Sequence, residues 1–168
     1  PMGPDPDAIR TLALWLVAAQ NPLLIADQVG KDQRGIDALI ELAELLALPV
    51  ADRGGRPSFP NIHPLEVSGL EQQLYPDRDL VVALDCRDVY GLFHTRDLHT
   101  WETRSFLPPS CRVASISLWD LRGGGWTQDY QRIAPTDLNI VADTSVALPM
   151  LVEECRKLLG SHSRTSDE

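Results

Sequence analysis

Two short, unbroken apolar runs constrain this chain more than any other feature, Leu23 to Ala26 and Leu80 to Leu84, with Val113 to Leu118 and Leu138 to Ala142 as two further strand candidates. Both runs have the length of a strand and contain no polar residue, the pattern of strands buried on both faces of a parallel sheet. The segments around them carry helical spacing. A first helix is predicted to begin near Asp5 or Asp7, whose carboxylates can cap free amides, to bury Ile9, Leu12, Ala13, Leu16 and Val17, and to stop before Pro22. A second follows one face through Ile36, Leu39, Ile40, Ala43, Leu46 and Ala47 to Pro49, with Val50 opening a further strand. A last helix is predicted to start around Asp143 to Ser145, to bury Ala147, Met150, Leu151 and Leu158 and to end at Gly160, which is free to take the left-handed cap conformation. Strands alternating with helices give an α/β fold around a parallel sheet.

A chain of 168 residues with 43% hydrophobic content suits one domain with one sizeable core. Its formal net charge of -9 is the wrong sign for nucleic acid or an anionic membrane surface, so neither is expected as a partner. Cys86, Cys111 and Cys155 are odd in number and widely spaced, which fits neither a disulfide framework nor a zinc site and points to a reducing, cytoplasmic setting. The longest apolar run, Leu12 to Ala19, falls short of the roughly 20 residues a membrane span needs. Prolines at positions 1, 4 and 6 mark residues 1–6 as a linker, 7–160 form the domain, and the wholly polar 161–168 is expected to be a disordered tail or linker.

Ligands of open parallel sheets bind at the carboxyl ends of the strands. The segments there are rich in aspartate: Asp27-Gln28-Val29-Gly30, Asp52-Arg53-Gly54-Gly55, Asp85-Cys86-Arg87-Asp88, Leu118-Trp119-Asp120 and Asp143-Thr144. Converging carboxylates oppose a pyrophosphate electrostatically, and turn chemistry assigns several of them, Asp143 above all, to capping. No Gly-x-Gly-x-x-Gly or Walker sequence is present. Gly123-Gly124-Gly125, beside Arg122 and Trp126, reads as a flexible turn before it reads as an anion nest. His94, Asp97, His99 and Glu102 offer metal-ligand atoms without a spacing that fixes them, and His63 before Pro64 reads as a loop-packing residue. Cys86 follows a buried strand, where a thiol is usually inert. Asp27, Asp85 and Asp120 leave room for a metal-dependent hydrolase, since carboxylates gather hard cations.

Several segments, taken in order, resemble the central domain of thiamine-diphosphate-dependent enzymes of the acetolactate synthase and benzoylformate decarboxylase type. They are Ala19-Gln20-Asn21-Pro22, the helix Leu42 to Ala47 with Leu48-Pro49-Val50, the loop Phe59-Pro60-Asn61-Ile62-His63-Pro64-Leu65 with Gly69, the strand Arg78 to Leu84, the strand Arg112 to Asp120, and the closing Asn139 to Asp143. The likeness runs from about Asp7 to Leu159. It implies a Rossmann-like three-layer sandwich with an about six-stranded parallel sheet, a DHS-like NAD/FAD-binding fold. It also implies that flanking pyrimidine- and diphosphate-binding domains of the parent chain, a homo-oligomer, hold thiamine diphosphate and magnesium through an activating Glu and a Gly-Asp-Gly to Asn motif. Neither motif occurs here.

In such enzymes this domain holds FAD, ADP or nothing. Carried over by position, a cofactor touches Asp27, Gln28, Gly30, Gly69, Leu70, Asp85, Cys86, Arg87, Leu118 and Asp120. Three departures make pyrophosphate approach harder: Asp27 and Asp85 stand where the family has glycine, and Gly69-Leu70-Glu71-Gln72 replaces its Gly-Met-His-Gly. The expectation is a domain that binds no cofactor, FAD and ADP being disfavoured, and that is not catalytic alone. The alternative from another class is a stand-alone adenine-nucleotide-binding or interaction module. Trp15, Trp101, Trp119 and Trp126 are candidates for surface covered by the flanking domains.

Overall fold

A computed structural model describes residues 1–119 and 132–165, the last four through their backbone only. Helix α1 (Pro6–Ala18) starts where Asp5 Oδ1 accepts the Asp7 amide at 3.0 Å and Pro6 supplies a preset φ. It buries Ile9, Leu12, Ala13 and Leu16, each large aliphatic contributing about 1.5–3 kcal/mol. The turn into β1 (Pro22–Ala26) is held by Asp79, whose two carboxylate oxygens accept the Gln20 and Asn21 amides at 2.6 and 3.0 Å.

A short 3-10 turn, Val29–Lys31, leads into α2 (Gln33–Leu46), capped by Asp32. The buried stripe of α2 is Gly35, Ala38, Leu39, Leu42 and Ala43, rotated from the one the large aliphatics predict. Ile36, Ile40 and Leu46 are only half-buried. Small residues face inward because α2 packs closely on the last helix: a Cβ on Gly35 would lie 3.1 Å from Val29 and 3.8 Å from the Ser145 backbone. The chain then forms β2 (Val50–Asp52), α3 (Glu71–Leu74), β3 (Leu80–Leu84), α4 (Val89–Phe93), β4 (His94–Arg96), β5 (Thr103–Ser105), β6 (Arg112–Ser117), β7 (Leu138–Val141) and α5 (Thr144–Thr165).

Five strands form a parallel sheet in the order β2-β1-β3-β6-β7. The order reverses between β1 and β3, which makes the carboxyl end of that pair the topological switch point. The sheet is one strand short of the six expected. Beyond β2 the sixth place is reduced to one bridge, Val50 to Glu66, with the Val50 amide donating to Leu65 O and the Val67 amide to Val50 O, both at 2.9 Å. Pro60 and Pro64, which have no amide hydrogen to give a ladder, keep the preceding segment irregular.

Alternate residues of each strand enter two cores. Leu24, Ala26, Val82, Leu84, Ala114 and Ile116 pack under α1, α2 and α5. Leu23, Ile25, Val81, Ala83 and Val113 pack under Tyr75, Phe93 and Cys86 on the other face. The architecture is a Rossmann-like three-layer sandwich with unequal layers, since three long helices cover one face, while the four-residue α3, the five-residue α4 and the β4–β5 hairpin lie on the other side. The hairpin, which the sequence reading leaves as loop, displays Leu98 and Trp101 at 77% and 68% exposure. Helix α5 buries Ala147 and Leu151 as expected but runs through Gly160 to Thr165, since Gly160 is not among the glycines with positive φ. No described helix is long and apolar enough to cross a membrane.

The cap of α2 carries a pH signature. The hydrogen bond from the Arg34 side chain, joined by the Arg34 amide, holds the Asp32 carboxyl down at about 2. A carboxyl depressed on folding stabilises fully above its unfolded value near 3.8 and loses that contribution as pH falls through 2. Asp32→Asn keeps a cap but loses the charge, so its melting temperature is expected to lie below wild type at pH 7 and to converge on it between pH 4 and 2.

Candidate functional site

The carboxyl edge of the sheet is built around Asp85, the residue after β3. Its backbone is left-handed at φ 50°, which costs a non-glycine residue roughly 1–2 kcal/mol. The conformation drives the side chain to 1% exposure, where Oδ2 accepts the Thr144 hydroxyl at 2.5 Å and meets Lys31 Nζ at 2.8 Å. Thr144 is the first residue of α5 and Lys31 the last of the 3-10 turn after β1. Lys31 also lies 3.7 Å from Asp143. Asp143 caps α5, accepting the Ser145 amide and hydroxyl at 3.0 Å each. Burial pushes its pKa upward, and the Ser145 bonds with the Lys31 charge more than reverse this, leaving it below the ordinary value.

Asp27, after β1, is 6% exposed. Its Oδ2 accepts Arg87 Nε at 3.0 Å, while Oδ1 is buried with no hydrogen-bond partner among the described residues. Above it folds the loop after β2. Arg53 and Arg56 amides donate to Ala26 O and Asp27 O at 2.8 Å each, and Asp52 accepts the Gly54, Ser58 and Phe59 amides at 2.8, 2.6 and 3.1 Å. Two glycines make this closure possible. A Cβ on Gly30 would stand 2.0 Å from Pro57 O, and one on Gly55 1.9 Å from Asp27 Oδ1. The glycine freedom after β1 thus serves an approach of the chain to itself.

A cleft of about 380 Å³ lies at this edge, lined by Gln28, Lys31, Arg56, Asp85, Leu118 and Trp119. It unites Gln28, Asp85 and Leu118 of the expected positions and adds Lys31 and Arg56, which the sequence reading did not single out. The only sequence signal for them was a cation close after each of two strand ends. Cys86 and Arg87 instead face a smaller cavity of about 90 Å³ with Tyr90, Ser115, Arg132 and Asn139. Gly69, at φ 83°, and half-exposed Leu70 line neither. Asp120, like the Gly123 to Gly125 run with Arg122 and Trp126, lies outside the described residues.

The remaining candidates have structural surroundings. Burial first, and the nearby Asp27 charge second, push the Cys86 thiol far above its ordinary range, which disfavours the thiolate. Thr144 is fully buried and committed to Asp85. His63 packs edge-on against Phe59 at 4.7 Å and accepts the Leu65 amide on Nδ1. Asp97 turns the hairpin by accepting the His99 and Thr100 amides at 2.7 and 3.1 Å, and His94 stacks on Tyr90 at 3.8 Å. Among the described residues no three His, Cys, Asp or Glu gather as a metal site. Asp27 and Asp85 each engage a different cation.

No family model matches the sequence, and no curated protein matches it. Solved structures do. An enzyme from Mycobacterium smegmatis, provisionally described as thiamin diphosphate-dependent, superposes with a TM-score of 0.65 at 25% identity over 91% of this chain and 28% of its own. Benzoylformate decarboxylase from Polynucleobacter necessarius gives 0.67 at 24% identity over 90% and 27%. The thiamine diphosphate-dependent 4-hydroxybenzoylformate decarboxylase of Rhodococcus jostii RHA1 gives 0.64 at 22% over 88% and 27%. The chain thus resembles a domain of thiamine-diphosphate-dependent enzymes and spans little more than a quarter of their length.

Because backbone oxygen Pro57 O blocks any side chain at position 30, Gly30→Ala is expected to cost about 1–3 kcal/mol. Urea unfolding reports the loss, and amide exchange is expected to rise most in residues 53–58.

Proposed function

We propose that this chain is the central scaffold domain of a thiamine-diphosphate-dependent enzyme, a 2-oxo acid decarboxylase or carboligase, and that it supplies no catalytic group itself. The observation that carries the reading is the coverage: about nine-tenths of the chain superposes on little more than a quarter of each of three enzymes, two of them described as thiamine diphosphate-dependent and the third as a benzoylformate decarboxylase. In the parent, the pyrimidine- and diphosphate-binding domains flank this one and hold thiamine diphosphate and magnesium. That cofactor acts as the electron sink when a carbon-carbon bond next to a carbonyl is broken. This domain binds no nucleotide, joins the other two and walls the approach to the active site, within a cytoplasmic homo-oligomer.

The surroundings of the expected site residues support a silent domain, because the thiol of Cys86 is buried, the Thr144 hydroxyl is committed to Asp85, Asp52 holds loop amides and Asp27 engages Arg87 through one oxygen. The same commitments weigh against a stand-alone adenine-nucleotide module.

Extending the coding sequence in both directions and assaying carbon dioxide release from benzoylformate with thiamine diphosphate and magnesium tests the proposal. Turnover is expected from the extended chain and none from the 168 residues alone. Turnover by the short chain, or stop codons close to both of its ends, would overturn it.

A further inference from the structure

The cleft at the switch point has the parts of an anion site, yet its central donors are already engaged by the chain's own carboxylate. Lys31 Nζ and the Thr144 hydroxyl, at the start of α5, converge on Asp85 Oδ2 at 2.8 and 2.5 Å. A helix start flanked by a lysine at the carboxyl edge of a parallel sheet attracts anions. Here the anion is internal, 1% exposed, and held by a backbone that only a left-handed residue at position 85 provides. Around it the cleft retains Arg56, Gln28 and the apolar wall of Leu118 and Trp119, in about 380 Å³, which lies within the range of small-ligand pockets, roughly 300–1,000 Å³.

We propose that Asp85 is an internal stand-in for a ligand's diphosphate: it excludes nucleoside diphosphates from the switch-point cleft, and its removal converts that cleft into a site for them. A phosphate brought to Lys31 meets the Asp85 carboxylate at ion-pair distance, and the two like charges repel in a partly desolvated place. Glycine at position 85 removes the charge, accepts φ 50° without strain, and frees Lys31 and the Thr144 hydroxyl together. Among the described residues Lys31 then keeps only Asp143, 3.7 Å away and more exposed, and the Thr144 hydroxyl loses its Asp85 acceptor, so an arriving anion meets both donors. The proposal goes beyond the scaffold reading and does not depend on it, because it concerns one cleft in this chain whatever the parent catalyses.

Isothermal titration of the 168-residue chain with ADP and with inorganic pyrophosphate tests it. Wild type is expected to show no saturable binding up to about 1 mM, the weak limit of such titrations. Asp85→Gly and Asp85→Asn are each expected to bind both probes at least about tenfold more tightly than wild type, the scale of one close like charge removed. Lys31→Ala added to either variant is expected to abolish the gain. Asparagine keeps the shape of the buried side chain, so it decides the matter should the glycine variant fail to fold. Wild type binding ADP as well as the variants do, or a folded variant binding no better than wild type, would overturn the proposal, and neither result bears on whether the extended chain decarboxylates a 2-oxo acid.

Discussion

The carboxylate of Asp85 joins three elements that are distant in sequence: the end of β3 that carries it, the turn after β1 that supplies Lys31, and the start of α5 that supplies Thr144. A buried carboxylate is costly unless ionic and hydrogen-bonding partners meet it, and both are present. The same contact fixes where α5 begins, and α5 with α1 and α2 covers the larger core. Local strain at φ 50° is the cost of placing the charge there. Strain of this kind persists only where the surroundings over-determine it, and here a lysine, a threonine and a sheet edge do so.

The second aspartate of the edge follows the same logic with a different partner. Asp27 is closed over by the loop of residues 53–58, whose amides bond to Ala26 and Asp27 carbonyls, and it answers Arg87. In nucleotide-binding parallel sheets generally, strand ends stay open so that a phosphate reaches backbone amides. In this chain they are filled by loop, lysine and carboxylate. The same domain has a thinly covered second face and an exposed hairpin tip of Leu98 and Trp101.

Much of this was legible from residue order. The apolar runs located β1 and β3 within a residue or so at each end, because a strand buried on both faces leaves no polar position to blur its limits, and the mixed segments Val113 to Leu118 and Leu138 to Ala142 located β6 and β7 as closely. The caps at Asp5 and Asp143 were readable for the same local reason. The inward face of α2 was legible only in part: Leu39 and Ala43 are buried as expected, while Gly35 and Ala38 are selected by close helix contact and carry little hydrophobic signal. The β4–β5 hairpin was not legible, since its strands are three polar or half-exposed residues each. At the site, the sequence marked the aspartates but not their cations: Lys31 and Arg56 come to one cleft only through the parallel register of β1, β2 and β3.

The central claim is that Asp85 and Lys31 act as one unit holding this edge, and a double-mutant cycle tests it most directly. Unfolding free energies of wild type, Lys31→Met, Asp85→Asn and the double variant, measured in urea at pH 7, give the coupling between the two side chains. A coupling of roughly 1–3 kcal/mol is expected for a buried ion pair that shares a third partner. Additivity within about 0.5 kcal/mol would contradict the account, leaving Asp85 a buried charge whose placement Lys31 does not explain.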